Sequence, residues 1–199
     1  GGPLKGQMVP DPKEYENPFD FLAEPEIRAM DDTAAISAKD STARIKTPAR
    51  KAIREQAVDA MLTPAHPVKH ERKAWLIIGP PGAGKSVLLT KIRESEGAIE
   101  IDADIAKEHP VFAEDYRGGR GASRLHEESA LIAEMALDKA TLEGTNIAYP
   151  FIGKTYDGLV ERIEMLRERG YRVLVKLVNI SPQKSMELVY ERFYRLGRH

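Results

Sequence analysis

From residue 47 onward, apolar positions keep two alternating rhythms: helical spacing of three or four residues, and short unbroken apolar runs. The first helical segment is "TPARKAIREQAVDAML". Ile53, Ala57 and Met61 fall on one side of it, Thr47 suits its cap and Pro48 its first turn. After the polar linker "TPAHPVKHERK", the run "AWLIIG" predicts a short buried strand. Residues 84–95 read as a helix, "GAIEID" (97–102) as a second strand, and about 122–141 as a long helix. "NIAYPF" (146–151) is a third strand. "DGLVERIEMLRERG" is a helix with Leu159, Ile163 and Leu166 on one face and Gly170 as its stop. "YRVLVKLVNI" follows as a fourth strand, whose length and apolar content predict a central place in the sheet. Ser181 and Pro182 then open a last helix. Strands alternating with helices predict an α/β fold, a parallel sheet covered by helices on both faces.

Residues 1–46 break the rhythm. Pro3, Pro10, Pro12, Pro18 and Pro25 punctuate them, with only small apolar clusters such as Phe19, Phe21 and Leu22 between. They are expected to form a loosely ordered N-terminal arm ahead of a domain over residues 47–199. His66 and His70, in the polar linker, are expected to be solvated and are assigned no role.

Composition changes this picture mainly by exclusion. A chain of 199 residues, 42% hydrophobic and 31% charged, suits one globular domain with an appended segment. A net charge of −1 gives no general attraction to nucleic acid or a membrane surface. The absence of cysteine excludes disulfides and thiolate metal sites. No apolar run approaches the roughly 20 residues that cross a bilayer, so neither a membrane nor a nucleic-acid partner is expected.

The candidate chemistry begins where the first strand ends. Gly79, Pro80, Pro81, Gly82, Ala83, Gly84, Lys85 and Ser86 satisfy G-x-x-x-x-G-K-[ST], with Val87 next. Glycines let backbone N–H groups turn toward a phosphate, and the following helix points its positive N-terminus at the same anion. Lys85 would reach the β and γ phosphates and the Ser86 hydroxyl would take a position on Mg²⁺. The strand before and the helix after supply the context this motif needs, and the expected ligand is ATP or GTP with Mg²⁺.

Two further stretches bear on a reaction. "IDADIAKEHP" closes the second strand and projects Asp102 and Asp104 beyond its carboxyl end, where ligands of such sheets sit. A carboxylate there can accept the proton of an attacking hydroxyl; the same pair would also turn the chain and cap the next helix. The terminal "YERFYRLGRH" carries Arg192, Arg195 and Arg198 in a net basic stretch. Arginines near a P-loop clamp a triphosphate and steady the moving phosphoryl group, although a solvated helix face has the same pattern.

"GPPGAGKS", "IDADIAKEHP", "HEESALIAEMAL", "LVERIEMLRERGYRV" and "YERFYRLGR", in that order, resemble the zeta toxin family of P-loop kinases over roughly residues 50–199. The resemblance implies a small kinase that phosphorylates a UDP-linked N-acetyl amino sugar, so starving wall synthesis, and that is often restrained by an antitoxin. It implies Asp104 as the base, Lys85 as the loop lysine, and Arg192 and Arg198 as paired lid arginines. It also implies Glu127 or Glu128, with Glu128 preferred, as the glutamate that orients the acceptor. Asp102 is expected to assist on the acceptor side, through the metal or by holding the turn. The implied partners are a small-molecule acceptor and an antitoxin or chaperone, for a cytoplasmic chain or a secreted effector.

The chain departs from the family pattern twice. The acidic-Gly-Thr step at the end of the third strand is replaced by Tyr149, Pro150 and Phe151; Glu143-Gly144-Thr145 precedes the strand and reads as a helix stop. The family's further helix and last strand have no counterpart before the chain stops at His199, which predicts a fragment or a sheet edge completed by another segment or a partner. Two other readings remain open at this point: a nucleic-acid 5′-end kinase, and a nucleotide-binding module or effector fragment without productive transfer.

Overall fold

A computed structural model of the chain describes residues 48–80, 82–116, 125–151 and 156–196. Helix α1 (Pro48–Leu62) leads into β1 (Lys73–Ile78), followed by α2 (Lys85–Glu96), β2 (Ile99–Glu100) and α3 (Ala103–Glu108). A 3₁₀ turn (Pro110–Phe112), α4 (Ala113–Tyr116), α5 (His126–Glu143), β3 (Ile147–Phe151), α6 (Tyr156–Glu168), β4 (Arg172–Leu177) and α7 (Pro182–Leu196) complete the described elements. All strand pairs are parallel, in the order β2-β3-β1-β4. This is the expected α/β fold of P-loop kinase type. No helix among the described residues is long and apolar enough to cross a membrane.

Alternation along β1 divides the core. Ala74 and Leu76 point to one face, where they join Val58 and Met61 of α1, Ile132, Ala136 and Leu137 of α5, and Leu166 of α6. Trp75 and Ile77 point to the other, against Leu89 and Ile92 of α2. Ala57 and Met61 are buried and Ile53 packs on the same cluster, which bears out the helical spacing of the first segment. Gly170, at φ +80°, ends α6 as its position implied, and Gly144, at φ +73°, ends α5, so Glu143-Gly144-Thr145 is a helix-to-strand turn.

Two expectations are corrected. β4 lies at an edge of the described sheet: it pairs with β1 alone, and Val175 and Leu177 are exposed. Its apolar content serves its faces and says nothing about how many neighbours its backbone has. The linker histidines are not merely solvated. His66 Nε2 lies 2.9 Å from the Ala98 carbonyl, and His70 Nδ1 lies 3.3 Å from Thr145 Oγ1. The linker runs beside the strand entrances, where the Lys69 N–H donates to Gly97 O and the Asn146 N–H to Lys69 O. Fully buried Asn146 completes this seam, its Oδ1 accepting from the Glu71 and Lys73 N–H groups and its Nδ2 donating to Glu96 O.

Candidate active site

Parallel pairing sends the ends of β1, β2 and β3 to one edge of the sheet, and the motif residues follow from there. The loop between β1 and α2 is held by the Ala83 N–H donating to Pro80 O and the Val87 N–H to Gly84 O. Gly84 enters α2 at φ +81°, with no side chain capping the helix. The α2 N-terminus therefore keeps its positive end for another acceptor. Lys85 arches back, its Nζ donating to Gly79 O (2.7 Å) and Pro80 O (3.0 Å). Ser86 lies exposed in the first turn, beside exposed Val87. Backbone donors, an uncapped helix terminus and one cation over the loop fit a polyphosphate.

The three glycines of the loop have different reasons. A methyl at Gly79 would stand 2.7 Å from Val178 O, and one at Gly82 (φ +72°) 3.0 Å from Ser185 O. Both keep room for the β4–α7 connection and for α7 itself. A methyl at Gly84 would meet nothing within 4 Å, so only its backbone conformation calls for glycine. The helix that carries Arg192 and Arg195 thus leans on the loop through its first turns. The description covers the α7 backbone at Arg192 and Arg195 but not their side chains, while Arg198 and Pro81 lie outside the described residues.

Asp102 follows β2 and serves as the N-cap of α3: its Oδ1 accepts the Asp104 N–H at 2.9 Å. That cap turns the chain so that Asp104 opens the helix, half-exposed, with one oxygen accepting from Lys107 Nζ at 3.0 Å. Lys107 is 9% exposed. Its spacing of three from Asp104 puts the two on one side of a helix, a signal present in the sequence itself. Further along, His109 Nδ1 accepts the Val111 N–H and seats the 3₁₀ turn.

Glu127 and Glu128 separate sharply in the structure. Glu127 is exposed in the first turn of α5 and Glu128 is 3% exposed, bound by Arg50 and Arg54 of α1. At β3, Tyr149 packs on the core while the Arg162 guanidinium stacks over its ring at 5.1 Å and forks onto Glu134. Burial pushes the Tyr149 phenol above its ordinary range, against the pull of Arg162. The third-strand end therefore offers aromatic surface and a paired arginine where the family pattern has a carboxylate and a hydroxyl. A cavity of about 480 Å³ lies at the opposite edge, walled by Arg72, Asp138, Thr141, Leu142 and Arg169. Its arginines already bond to helix-end carbonyls and Asp138, so it belongs to the packing of the strand entrances.

Residues 57–199, well over half of the chain, match the family model "Zeta toxin". A structure from the PezAT chromosomal toxin–antitoxin system of the human pathogen Streptococcus pneumoniae aligns with 24% identity and a TM-score of 0.58, covering 72% of this chain and 64% of that one. The AvrRxo1-ORF1:ORF2 complex with ATP aligns with 16% identity and a TM-score of 0.50, covering 93% of this chain and 56% of that one. The chain thus spans less than two thirds of the length of either, and at these identities the likeness is one of fold. No curated protein matches. With the P-loop, the capped Asp102–Asp104 turn and the family match over residues 57–199, the chain belongs to the zeta toxin family.

Proposed function

We propose that the chain is an ATP- or GTP-dependent phosphotransferase of zeta toxin type, acting on a hydroxyl of a small molecule, with a UDP-linked amino sugar or another nucleotide as acceptor. The observation that carries this reading is a shared sheet edge. The Lys85 loop ends β1 and the Asp102–Asp104 turn ends β2, with only β3 between them. Donor and acceptor would meet in the crevice outside those strand ends.

Asp104 takes the proton of the acceptor hydroxyl as that oxygen bonds to the γ-phosphorus; the bond to the bridging oxygen breaks and the nucleoside diphosphate departs. Lys85 leaves the Gly79 and Pro80 carbonyls for the phosphates, exchanging two neutral acceptors for charged ones. Asp102 fixes the turn that presents Asp104, and Glu128 is assigned to the acceptor on the family resemblance. Arg192 and Arg198 are assigned to the moving phosphoryl group; for Arg192 the seating of α7 on the loop at Gly82 supports this, and for Arg198 the family resemblance alone. Bound Mg²⁺ would neutralise phosphate charge. Among the described residues no three His, Cys, Asp or Glu side chains are grouped to hold a metal, so Ser86 and the nucleotide's own oxygens would hold it.

Residues 47–199 are read as the kinase domain, residues 1–46 as an arm, and the chain as cytoplasmic. The toxin–antitoxin origin of one structural neighbour and the ORF1:ORF2 complex of the other support an antitoxin or chaperone partner. The test is mass spectrometry of sugar-nucleotides, nucleosides and dinucleotides incubated with ATP, Mg²⁺ and the chain. One compound should gain a phosphate with the native chain and none with Asp104→Ala, which still binds ATP. ATP binding without transfer to any compound would refute the reading in favour of a nucleotide-binding module.

A further inference from the structure

Helix α3 packs against α1 and α5, and Ala103 and Ala106 turn onto the core cluster. Lys107, next to Ala106, is carried inward with them. Only 10% of its side chain is exposed, and its Nζ donates to Asp104 Oδ1 at 3.0 Å. Asp104 keeps 44% of its side chain exposed, just past the end of β2. The pair is therefore lopsided: a buried cation holds a half-exposed carboxylate at the sheet edge that also carries the Lys85 loop.

Such a pair is a weak device for stability. Taking an ammonium out of water is costly, and an apolar side chain of similar length would fill the space at least as well. Its effect falls on Asp104 instead. With one oxygen held from the buried side, the carboxylate loses rotational freedom about its side-chain bonds. Charge acts in the same direction. The Asp102 carboxylate stands two residues away, accepting the Asp104 N–H, and a polyphosphate on the loop would add further negative charge. Both disfavour a second anion, and an ammonium at 3.0 Å offsets them.

We infer that Lys107 is a positioning residue of the proposed transfer: from the buried side of α3 it holds the Asp104 carboxylate in one orientation, as the anion that takes the acceptor's proton. The inference rests on the kinase reading above and adds to it a residue that acts through the base. Removing the ammonium slows the transfer step and leaves the binding of both ligands alone.

The experiment compares the full native chain with Lys107→Met, Lys107→Arg, Asp104→Asn and the double variant Asp104→Asn/Lys107→Met. Each is assayed for kcat, for KM of ATP and of UDP-N-acetylglucosamine (or whichever panel member the native chain phosphorylates), and for melting temperature. A hydrogen bond to a charged group corresponds to about 10- to 100-fold in rate. Lys107→Met should lower kcat by that factor, with both KM values and the melting temperature close to native. Lys107→Arg keeps a cation at the site and should retain more kcat than Lys107→Met. A lysine that only fills space would give the reverse order, because methionine suits a buried slot better than a longer guanidinium. In the Asp104→Asn chain, Lys107→Met should cost no further kcat, because the group it acts through is gone. If Lys107→Met does not fold, Lys107→Gln takes its place in both comparisons. A Lys107→Met chain with native kcat would overturn the inference. So would a Lys107→Arg chain slower than Lys107→Met, or a double variant slower than Asp104→Asn by the factor seen in the native background. A native chain that binds ATP and phosphorylates no panel member would instead refute the kinase reading, and the inference with it.

Discussion

Substituting alanine at Gly79 and at Gly84 separates two demands that one motif makes on its glycines. At Gly79 the added methyl would stand 2.7 Å from Val178 O and 3.3 Å from Val178 Cβ. The obstacle is backbone, so the β4 end must move, and with it the 2.7 Å bond from the Val178 N–H to Ile78 O. Overpacking costs about 1–3 kcal/mol and a weakened ladder bond about 1 kcal/mol, so Gly79→Ala should destabilise by about 2–4 kcal/mol. For a chain of this size that lowers the melting temperature by about 4–16 °C. At Gly84 the methyl meets nothing, and the cost is the left-handed backbone at φ +81°, about 1 kcal/mol. That methyl projects into open space at the α2 N-terminus, where the proposed phosphate would lie, so Gly84→Ala should lose ATP affinity out of proportion to its stability. Urea denaturation gives the first quantity and calorimetric titration with ATP the second. A Gly79→Ala chain as stable as the native one would refute the steric argument. Equal effects of the two substitutions on both measurements would refute the separation.

Lys85→Met should abolish the rise in melting temperature that saturating ATP gives the native chain by mass action, and reduce transfer about 100-fold or more; differential scanning fluorimetry and the phosphate-gain assay read the two effects. Asp102→Ala removes the cap on the Asp104 N–H and should cost about 1 kcal/mol in urea melts, with transfer falling because the turn that presents Asp104 loosens. Tyr171 donates to Ala140 O and Thr145 O, and burial pushes its phenol up to about 12. Below pH 10, the ordinary phenol value, both states keep the proton. As the pH rises from 10 toward 12 the unfolded chain loses it before the native chain does, so stability should fall over that interval, by at most about 2 kcal/mol in urea melts. Tyr171→Phe should flatten that dependence while being less stable at neutral pH.

The parts of the fold that were legible in the sequence are the local ones. Helical spacing marked α1 and α6, Gly144 and Gly170 marked helix ends, and "GPPGAGKS" between a strand and a helix marked the loop. Each of these depends on residues within one or two turns of each other, so a single stretch of sequence contains the whole physical cause. The Asp102–Asp104 step was equally local, and its capping and candidate catalytic roles coexist in the structure: the first aspartate makes the turn that presents the second.

Tertiary structure decided what depends on pairing across the chain. An apolar strand has two faces to bury and two edges to pair, and hydrophobicity reports only the faces; β4 therefore reads as central and lies at the edge of the described sheet. Arg50 and Arg54 stand 78 and 74 residues from Glu128, so nothing in either stretch announces the cluster, and only the packing of α1 against α5 chooses Glu128 over Glu127 as its buried partner. The linker histidines, polar in sequence, acquired partners because the strand entrances bring Ala98 and Thr145 beside them. Short-range sterics and periodic burial fix which segments are helix, strand and phosphate loop, so those follow from local stretches of chain alone. Which side chains share an ion cluster, and which strand has one neighbour instead of two, was decided only when the sheet brought distant segments within hydrogen-bonding distance.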